Sequence, residues 1–374
     1  MEWLFFVSVA FVAYTYFVYP AAVIGLSRLW RGPRHGALKD LPAVAVIVPA
    51  HNEAAHIAAK LRNLLASNYP ADRLRVIVVS DGSTDTTVQQ ARSIGDARVV
   101  VVEATRRGGK VAAVNLGVSL TDEPVLVMTD ASELFHPDAI RRLVENFIDP
   151  KIGVVSGELR FIDMHTGFSR NLGAYWHYEK AIRNAEGRIG SVVGVTGAIY
   201  AIRRACFVPV PGDTLLDDVA IPLEAVRRGY RVKHESQAIA FEHATLDSRQ
   251  EFLRKRRTLA GNYQLIARYA DLLVPGSPIA VQFWSHKVFR LLVPYAMFGA
   301  LLGSAFLPYP LNVVAMAVQV AFYGLAAAAY LLRARVHAAL LTLPYTFCML
   351  NWAALVGSYY YIAGMQSAKW EKAK

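Results

Sequence analysis

Residues 44–53 read VAVIVPAHNE: a run of β-branched and small apolar residues that stops at Pro49 and hands over to His51, Asn52 and Glu53. A short apolar run bounded by proline and a polar turn predicts a buried strand whose tip carries hydrogen-bonding side chains. Three more runs repeat the plan: Arg75–Ser80 (RVIVVS), Arg98–Glu103 (RVVVVE) and Val125–Thr129 (VLVMT). Polar, helix-like segments separate them. Thr84–Ile94, capped by Ser83 or Thr84, and Pro137–Phe147 (PDAIRRLVENF), with proline at its start, are predicted as amphipathic helices. Strands alternating with helices predict an α/β domain on a mainly parallel sheet, here over residues 42–265. Ligands of such sheets bind beyond the carboxyl ends of the strands, so motifs at those ends share a cleft.

The composition adds a membrane. Hydrophobic residues make up 54% of the 374 and charged residues 18%, against about 25% charged in ordinary soluble domains. Trp3–Leu29 is long and apolar enough to cross a bilayer, within an N-terminal segment 1–30, and Arg28, Arg31 and Arg34 follow it. It is too long for the apolar core of a cleaved signal peptide and lacks a basic leader, so it is expected to be a retained anchor. After a connector at 266–286, a region at 287–364 holds three apolar stretches, Lys287–Leu307, Leu311–Leu332 and Ala338–Ala363, and a tail follows at 365–374. The N-terminal arginines and Arg333/Arg335 fall on one side and the uncharged LPYPLN connector (307–312) on the other. The bias of basic loops toward the cytoplasm then puts the α/β domain inside, as in a bacterial inner (plasma) membrane. Four crossings leave Lys369, Lys372 and Lys374 on the far side.

A net charge of +11 suits phosphate-bearing substrates or anionic headgroups. Without the aromatic interleaving of a single-strand binder or a DNA-binding motif, nucleic acid is not expected as a partner. Cys206 and Cys348 are the only cysteines and form neither a disulfide framework nor a metal-type cluster, which fits a reducing compartment.

The polar strand ends carry the chemistry. Asn52 and Glu53 place acceptors in the turn after the first run, where they suit either a nucleoside or ordinary helix capping. Asp81, in Ser80–Asp85 (SDGSTD), suits either the imide N–H of uracil or an Asx turn. Arg106–Lys110 (RRGGK) is a cationic loop opening a helix. It suits a diphosphate through its backbone N–H groups and Lys110, or a solvated turn. It is not a P-loop, since the first glycine and the hydroxyl residue after the lysine are missing. Asp130-Ala131-Ser132 ends the fourth run, where a carboxylate suits a Mg2+ or Mn2+ ion bridging phosphates.

These four segments, in this order, resemble the family 2 glycosyltransferases, which include synthases of hyaluronan, chitin, poly-N-acetylglucosamine and cellulose. The resemblance covers residues 44–265 and implies a GT-A fold, with inverting transfer from a nucleoside diphosphate sugar. It implies nucleoside contacts from Pro49, Asn52, Glu53 and Asp81, and ribose or phosphate contacts from Lys110 and Asp130. The D-x-D motif keeps Asp130 but has Ser132 at the second position, so any divalent cation is expected at Asp130, with Ser132 or His243 as further ligands. Thr214–Pro222 (TLLDDVAIP) resembles the segment that carries the general base, implying that role for Asp218 with Asp217 as its acidic neighbour. Inversion by direct displacement needs a carboxylate to take the acceptor proton on the face opposite the leaving diphosphate. A neighbouring carboxylate raises one pKa of such a pair.

Gly194–Arg204 (GVTGAIYAIRR), with Gly197, resembles the loop and strand under the acceptor, and Trp176 on the preceding helix supplies a face for a sugar ring. Where processive synthases carry Q-x-x-R-W, this chain reads Arg254-Lys255-Arg256-Arg257-Thr258, keeping Arg257 without Gln or Trp. A cationic segment there suits the diphosphate, an anionic lipid acceptor or the headgroups. The resemblance implies a UDP-sugar donor, N-acetylglucosamine or glucose first, and extension of a growing glycan. The alternatives are a single transfer to a lipid-linked or membrane acceptor, and a catalytically silent nucleotide-sugar sensor.

Overall fold

The structure, a computed structural model, describes residues 1–30, 36, 38, 40–162, 167–243, 248–332 and 339–367, without the side chains of 167–176, 243, 248–251 and 339–342. The side chains of Trp176 and His243 therefore lie outside it, as do Arg31, Arg34, Arg333, Arg335 and the tail lysines.

The chain opens on a continuous helical rod, α1 (Glu2–Ala13) and α2 (Tyr19–Leu29) joined by a π-helical turn. Alternating elements follow: β1 (Val44–Ala50), α3 (Ile57–Leu65), β2 (Leu74–Ser80), α4 (Thr87–Arg92), β3 (Val99–Glu103), α5 (Lys110–Ser119) and β4 (Val125–Met128). Next come β5 (Leu134–Phe135), α6 (Ala139–Glu145), β6 (Ile152–Ile162), α7 (Gly167–Ile189), β7 (Tyr200–Arg203), α8 (Asp217–Arg227), β8 (Arg231–His243) and α9 (Ser248–Arg268). The chain then continues through α10 (Ala280–Phe283), α11 (Phe289–Ser304), α12 (Leu311–Leu331) and α13 (Ala339–Ile362).

Among the described residues, eight strands form one sheet in the order β3-β2-β1-β4-β7-β6-β8-β5. The β3-β2-β1-β4 half is parallel, as expected, but β7 runs antiparallel to both β4 and β6, so the sheet is mixed rather than mainly parallel throughout. Alternate side chains of the central strands enter two cores. Ala45, Ile47, Ile77 and Val79 face the α5 and α8 side, while Val44, Val46, Val48, Val76 and Val78 face α3 and α6. That two-sided burial explains why these strands read as unbroken apolar runs.

Parallel register puts Ala50 beside Ser80, Ser80 beside Glu103 and Ile47 beside Met128. The loops after β1, β2, β3 and β4 therefore leave the same edge. The chain runs β1 to β3 outward on one side and returns to β4 on the other, making β1/β4 the switch point where a ligand crevice opens.

Among the described residues, three helices are long and apolar enough to cross a membrane: Glu2–Leu29, Ala280–Ser304 and Leu311–Leu331. The second begins at Ala280, inside the expected 266–286 connector, because its polar residues Ser285 and His286 bond to the rod and to α7 instead of water. The predicted 84–94 helix contracts to α4, and the 137–147 helix to α6 with a 3-10 turn after it.

Candidate active site

Asn52 sits at the tip of β1 with φ of 55°. Asparagine tolerates this left-handed conformation better than most residues. Its side-chain oxygen accepts the Thr84 N–H at 2.8 Å and its own N–H donates to the Ser83 hydroxyl at 3.1 Å, which ties the β1 loop to the β2 loop. Glu53 is buried, and its N–H donates to Thr87 Oγ1 at 2.8 Å. Asp81 is buried as well, and its carboxylate accepts the Gly108 and Gly109 N–H groups at 2.7 and 2.8 Å. These two donors were expected to face a diphosphate; the structure turns them onto Asp81 instead. Asp81 thus anchors the glycine loop, and Gly109, at φ of 87°, makes the bend that starts α5.

The bend brings Lys110 over the cleft. Its ammonium lies 2.6 Å from Asp130 Oδ1 and 3.7 Å from Asp217 Oδ2. Burial opposes its charge, but Asp130 and Asp217 outweigh that and hold the group above its usual range. Lys110 thereby joins the ends of β4, α5 and α8.

Ser132 does not stand beside Asp130 as a free ligand, since its hydroxyl donates to Glu133 at 3.0 Å. Glu133, which the sequence reading passed over, is buried, and burial followed by Asp130 raises its carboxyl to about 7. Beneath it Lys60 is fully buried. Its ammonium donates to Thr129 Oγ1 at 2.7 Å and to the Glu133 carbonyl at 2.6 Å, and lies 3.9 Å from the Phe135 ring centre. Desolvation brings Lys60 down to about 7. A buried lysine so placed stiffens the loop that presents Asp130. Its signal in the sequence, a lysine on the apolar face of α3, is visible only once the sheet is assembled.

Asp217 and Asp218 open α8, where the positive end of the helix dipole favours carboxylates. Pro222 lies inside this helix and has no N–H to offer the Asp218 carbonyl. The Val195 N–H takes that carbonyl at 2.9 Å, coupling Asp218 to the 194–197 loop. Arg183 of α7 supports the same loop through Thr196 Oγ1, Ser156 Oγ and the Gly194 carbonyl at 3.1, 3.2 and 3.1 Å. Asp218 is raised to about 6 by burial first and by Asp217 second, with Lys110 and Lys287 pulling the other way. A carboxylate of that pKa is ionised at neutral pH and basic enough to accept a proton.

Gly197 leaves room for this side chain: a Cβ there would stand 3.2 Å from Asp218 Cβ and 3.4 Å from its Oδ2. Gly197→Ala is therefore expected to displace the carboxylate by a few tenths of an ångström and lower kcat about tenfold, more than KM for the donor. Steady-state kinetics at saturating donor check this; an unchanged kcat would place the working group elsewhere.

The basic segment on α9 divides its roles differently from expectation. Arg254 faces Glu242 at 3.8 Å and Arg256 stacks 4.0 Å from the Tyr360 ring centre on α13. Neither Arg254 nor Arg257 reaches the cavity beside Asp218; Lys255 and Thr258 line it instead. On its other side, Glu179 of α7 pairs with Arg290 and, at 2.9 Å, with His286, while Glu186 binds His286 at 2.8 Å and the Tyr19 hydroxyl at 2.6 Å. Burial disfavours the Glu179 charge, but Arg290 and His286 outweigh it and hold the carboxyl well below its usual range. This network fastens α2 and the Ala280–Ser304 helix to the catalytic sheet. A sequence signal existed: His286, Lys287 and Arg290 are ionisable residues in an apolar helix, which marks function or pairing.

A family model described as glycosyl transferase family 2 matches residues 45–207, which include the β1, β2, glycine-loop and β4 segments. A probable glycosyltransferase, YdaM, of Bacillus subtilis (strain 168) is 26% identical over 243 residues, covering 62% of this chain and 58% of the relative. Poly-beta-1,6-N-acetyl-D-glucosamine synthase of Staphylococcus aureus (strain COL) is 27% identical over 212 residues, 54% of this chain and 50% of the synthase. The chain thus matches over about half the length of these relatives. The mannosyltransferase PcManGT from Pyrobaculum calidifontis, solved in complex with GDP-Man and Mn2+, superposes with a TM-score of 0.73 at 22% identity over 96% of this chain and 99% of its own, a likeness of fold. By the matched segment, its ordered motifs and this architecture, residues 45–207 are a glycosyl transferase family 2 segment within a domain of GT-A fold.

Proposed function

We propose that this chain is an inverting, membrane-integral glycosyltransferase that moves a sugar from a nucleoside diphosphate donor to an acceptor presented from the membrane side. The observation that carries this reading is Asp218: a carboxyl raised to about 6, set at the head of α8 and at the wall of a cavity that reaches the membrane helices. The donor lies along the loops after β1, β2 and β3, with Asn52 and Glu53 beside the nucleoside and Lys110 toward the diphosphate. An acceptor hydroxyl then attacks the anomeric carbon from the Asp218 side, giving its proton to Asp218 as the diphosphate departs.

The residues fit a divalent cation of one kind. Among the described residues no three His, Cys, Asp or Glu side chains gather as a resident metal site. Mg2+ and Mn2+, however, bind substrate phosphates through one or two protein carboxylates and waters. Asp130 is the carboxylate available for that role, and a cation arriving with the diphosphate would neutralise charge on the leaving group. Mn2+ in the PcManGT complex supports the same role.

For the acceptor, the poly-N-acetylglucosamine synthase relative favours a growing glycan, with UDP-N-acetylglucosamine or UDP-glucose as donor and polysaccharide as product. The replacement of Gln and Trp in the 254–258 segment favours one transfer to a lipid-linked acceptor instead. Incubating the full chain in lipid with radiolabelled UDP-sugars and GDP-mannose, with and without Mg2+ or Mn2+ and beside Asp218→Asn, separates these. High-mass product lost in the variant is expected for polymer synthesis and a labelled lipid fraction for single transfer. No Asp218-dependent turnover from any donor would sink the enzymatic reading and favour a nucleotide-sugar sensor. The α/β domain is placed on the cytoplasmic side, where activated sugars are found.

A further inference from the structure

A cavity of about 240 Å3 lies against Asp218, and its lining includes neither Lys110 nor Asp130. Asp218 therefore stands between the donor cluster and a second compartment. That compartment is cationic: Arg183, Lys255, Lys287 and Arg290 line it, with Glu179 and Asp218 as its acids. Glu179 is already matched by Arg290 and His286. Arg183 donates to three uncharged oxygens, those of Thr196, Ser156 and Gly194. Among the described residues no carboxylate pairs with Lys287 or Arg183 within 4 Å, Glu179 and Asp218 act on them only from further off, and both residues are partly buried. Cations withdrawn from water without carboxylate partners are costly unless an anion joins them.

Much of the remaining wall is apolar: Leu291 of the Ala280–Ser304 helix with Leu350 and Ala354 of α13 on one side, and Val192, Val193 and Leu216 of the α/β domain on the other. The lining thus presents a proton acceptor, a cationic patch and an apolar flank. A neutral glycan satisfies the first and leaves the second unmatched. A sugar linked through phosphate to an apolar chain satisfies all three.

We propose that this cavity is the acceptor site and that it takes an acceptor sugar carried on a phosphate or diphosphate, with the sugar hydroxyl at Asp218 and the anion between Arg183 and Lys287. The proposal rests on Asp218 being the general base. In the transfer, the acceptor oxygen forms a bond to the donor anomeric carbon as the bond from that carbon to the diphosphate breaks. The bonding pair leaves with the nucleoside diphosphate, and the hydroxyl proton passes to Asp218.

Binding to the full chain in lipid nanodiscs, without donor, tests this. The probes are N-acetylglucosamine on a polyprenyl diphosphate, N-acetylglucosamine 1-phosphate and octyl N-acetylglucosaminide, the last with an apolar tail and no phosphate. Charge-assisted hydrogen bonds to phosphate predict a preference of about 10- to 100-fold over the octyl glycoside, largely lost in Lys287→Gln and reduced in Lys255→Gln. Tighter binding of the lipid-linked probe than of the 1-phosphate identifies a membrane acceptor; equal binding identifies a soluble sugar phosphate. Equal affinity for the octyl glycoside, or variants that weaken all three probes alike, overturns the proposal. Because no donor is present, failure here is separable from loss of Asp218-dependent transfer, which would sink the assignment of the base instead.

Discussion

Asp218→Asn is expected to lower kcat by about 10²- to 10⁴-fold, the span a general base contributes. The carboxyl is positioned by three independent contacts: the Val195 N–H on its carbonyl, the Gly197 gap against its side chain and the start of α8 behind it. Burial, then Asp217, raises it to about 6. An acid must lose its proton before it can serve as a base, so wild-type kcat/KM should rise with pH through about 6 and then level. The asparagine variant should show a low rate without that step.

Stability moves the other way. The folded pKa lies above the usual 3.8, so the folded state holds this proton more tightly than the unfolded chain does. The site therefore costs stability that is fully felt above about pH 6 and relieved as pH falls below 4, by up to roughly 3 kcal/mol. At pH 8 the asparagine variant should melt at or above the wild-type temperature. Nucleotide release across pH 5–9, beside thermal unfolding at pH 8, checks both halves. A variant that keeps its kcat removes Asp218 from the chemistry, and one that melts much lower reduces the loss to misfolding.

The parallel half of the sheet was legible because Val44–Ala50, Leu74–Ser80 and Val125–Met128 are β-branched runs buried on both faces or nearly so, and the half-buried edge run Val99–Glu103 keeps the same apolar pattern. The other half was not. β6 and β8 mix charged residues such as Glu158, Arg160 and Glu235 into their lengths, and register shifts interrupt their pairing. β5 has only two residues, too few for any period to register. In the site, Asp130, Asp217, Asp218 and Lys110 lie in local motifs at element ends, and the structure brings all four together. Arg183, Lys287 and Lys60 were missed because their roles depend on long-range packing. The charge of Lys287 acts on Asp218 only when a helix some 70 residues later docks on α7. Asp81 shows a contact that the motif alone did not give, since its carboxylate also accepts the protein's own backbone N–H groups at Gly108 and Gly109.

Lys110→Met is expected to damage both substrate binding and the base. The ammonium lies 2.6 Å from Asp130 and 3.7 Å from Asp217, and its field reaches Asp218. Without it, Asp130, Asp217 and Asp218 face one another with less positive charge nearby. Like charges drawn together favour protonation, so the Asp218 pKa must move up from about 6. The acidic limb of kcat/KM then moves to higher pH, and the deficit at pH 6.5 exceeds that at pH 8.5. Independently, the donor diphosphate loses a charge-assisted contact, which weakens nucleotide binding about 10- to 100-fold. Lys110→Arg keeps the charge on a longer, planar group, so it should retain the acidic limb while geometry lowers the rate. Titration with nucleoside diphosphate, beside pH–rate profiles of both variants, separates the two effects. If the methionine variant keeps the wild-type profile and loses only affinity, Lys110 serves the donor alone; if the profile shifts with affinity unchanged, the lysine acts through the acidic cluster and the diphosphate is held elsewhere.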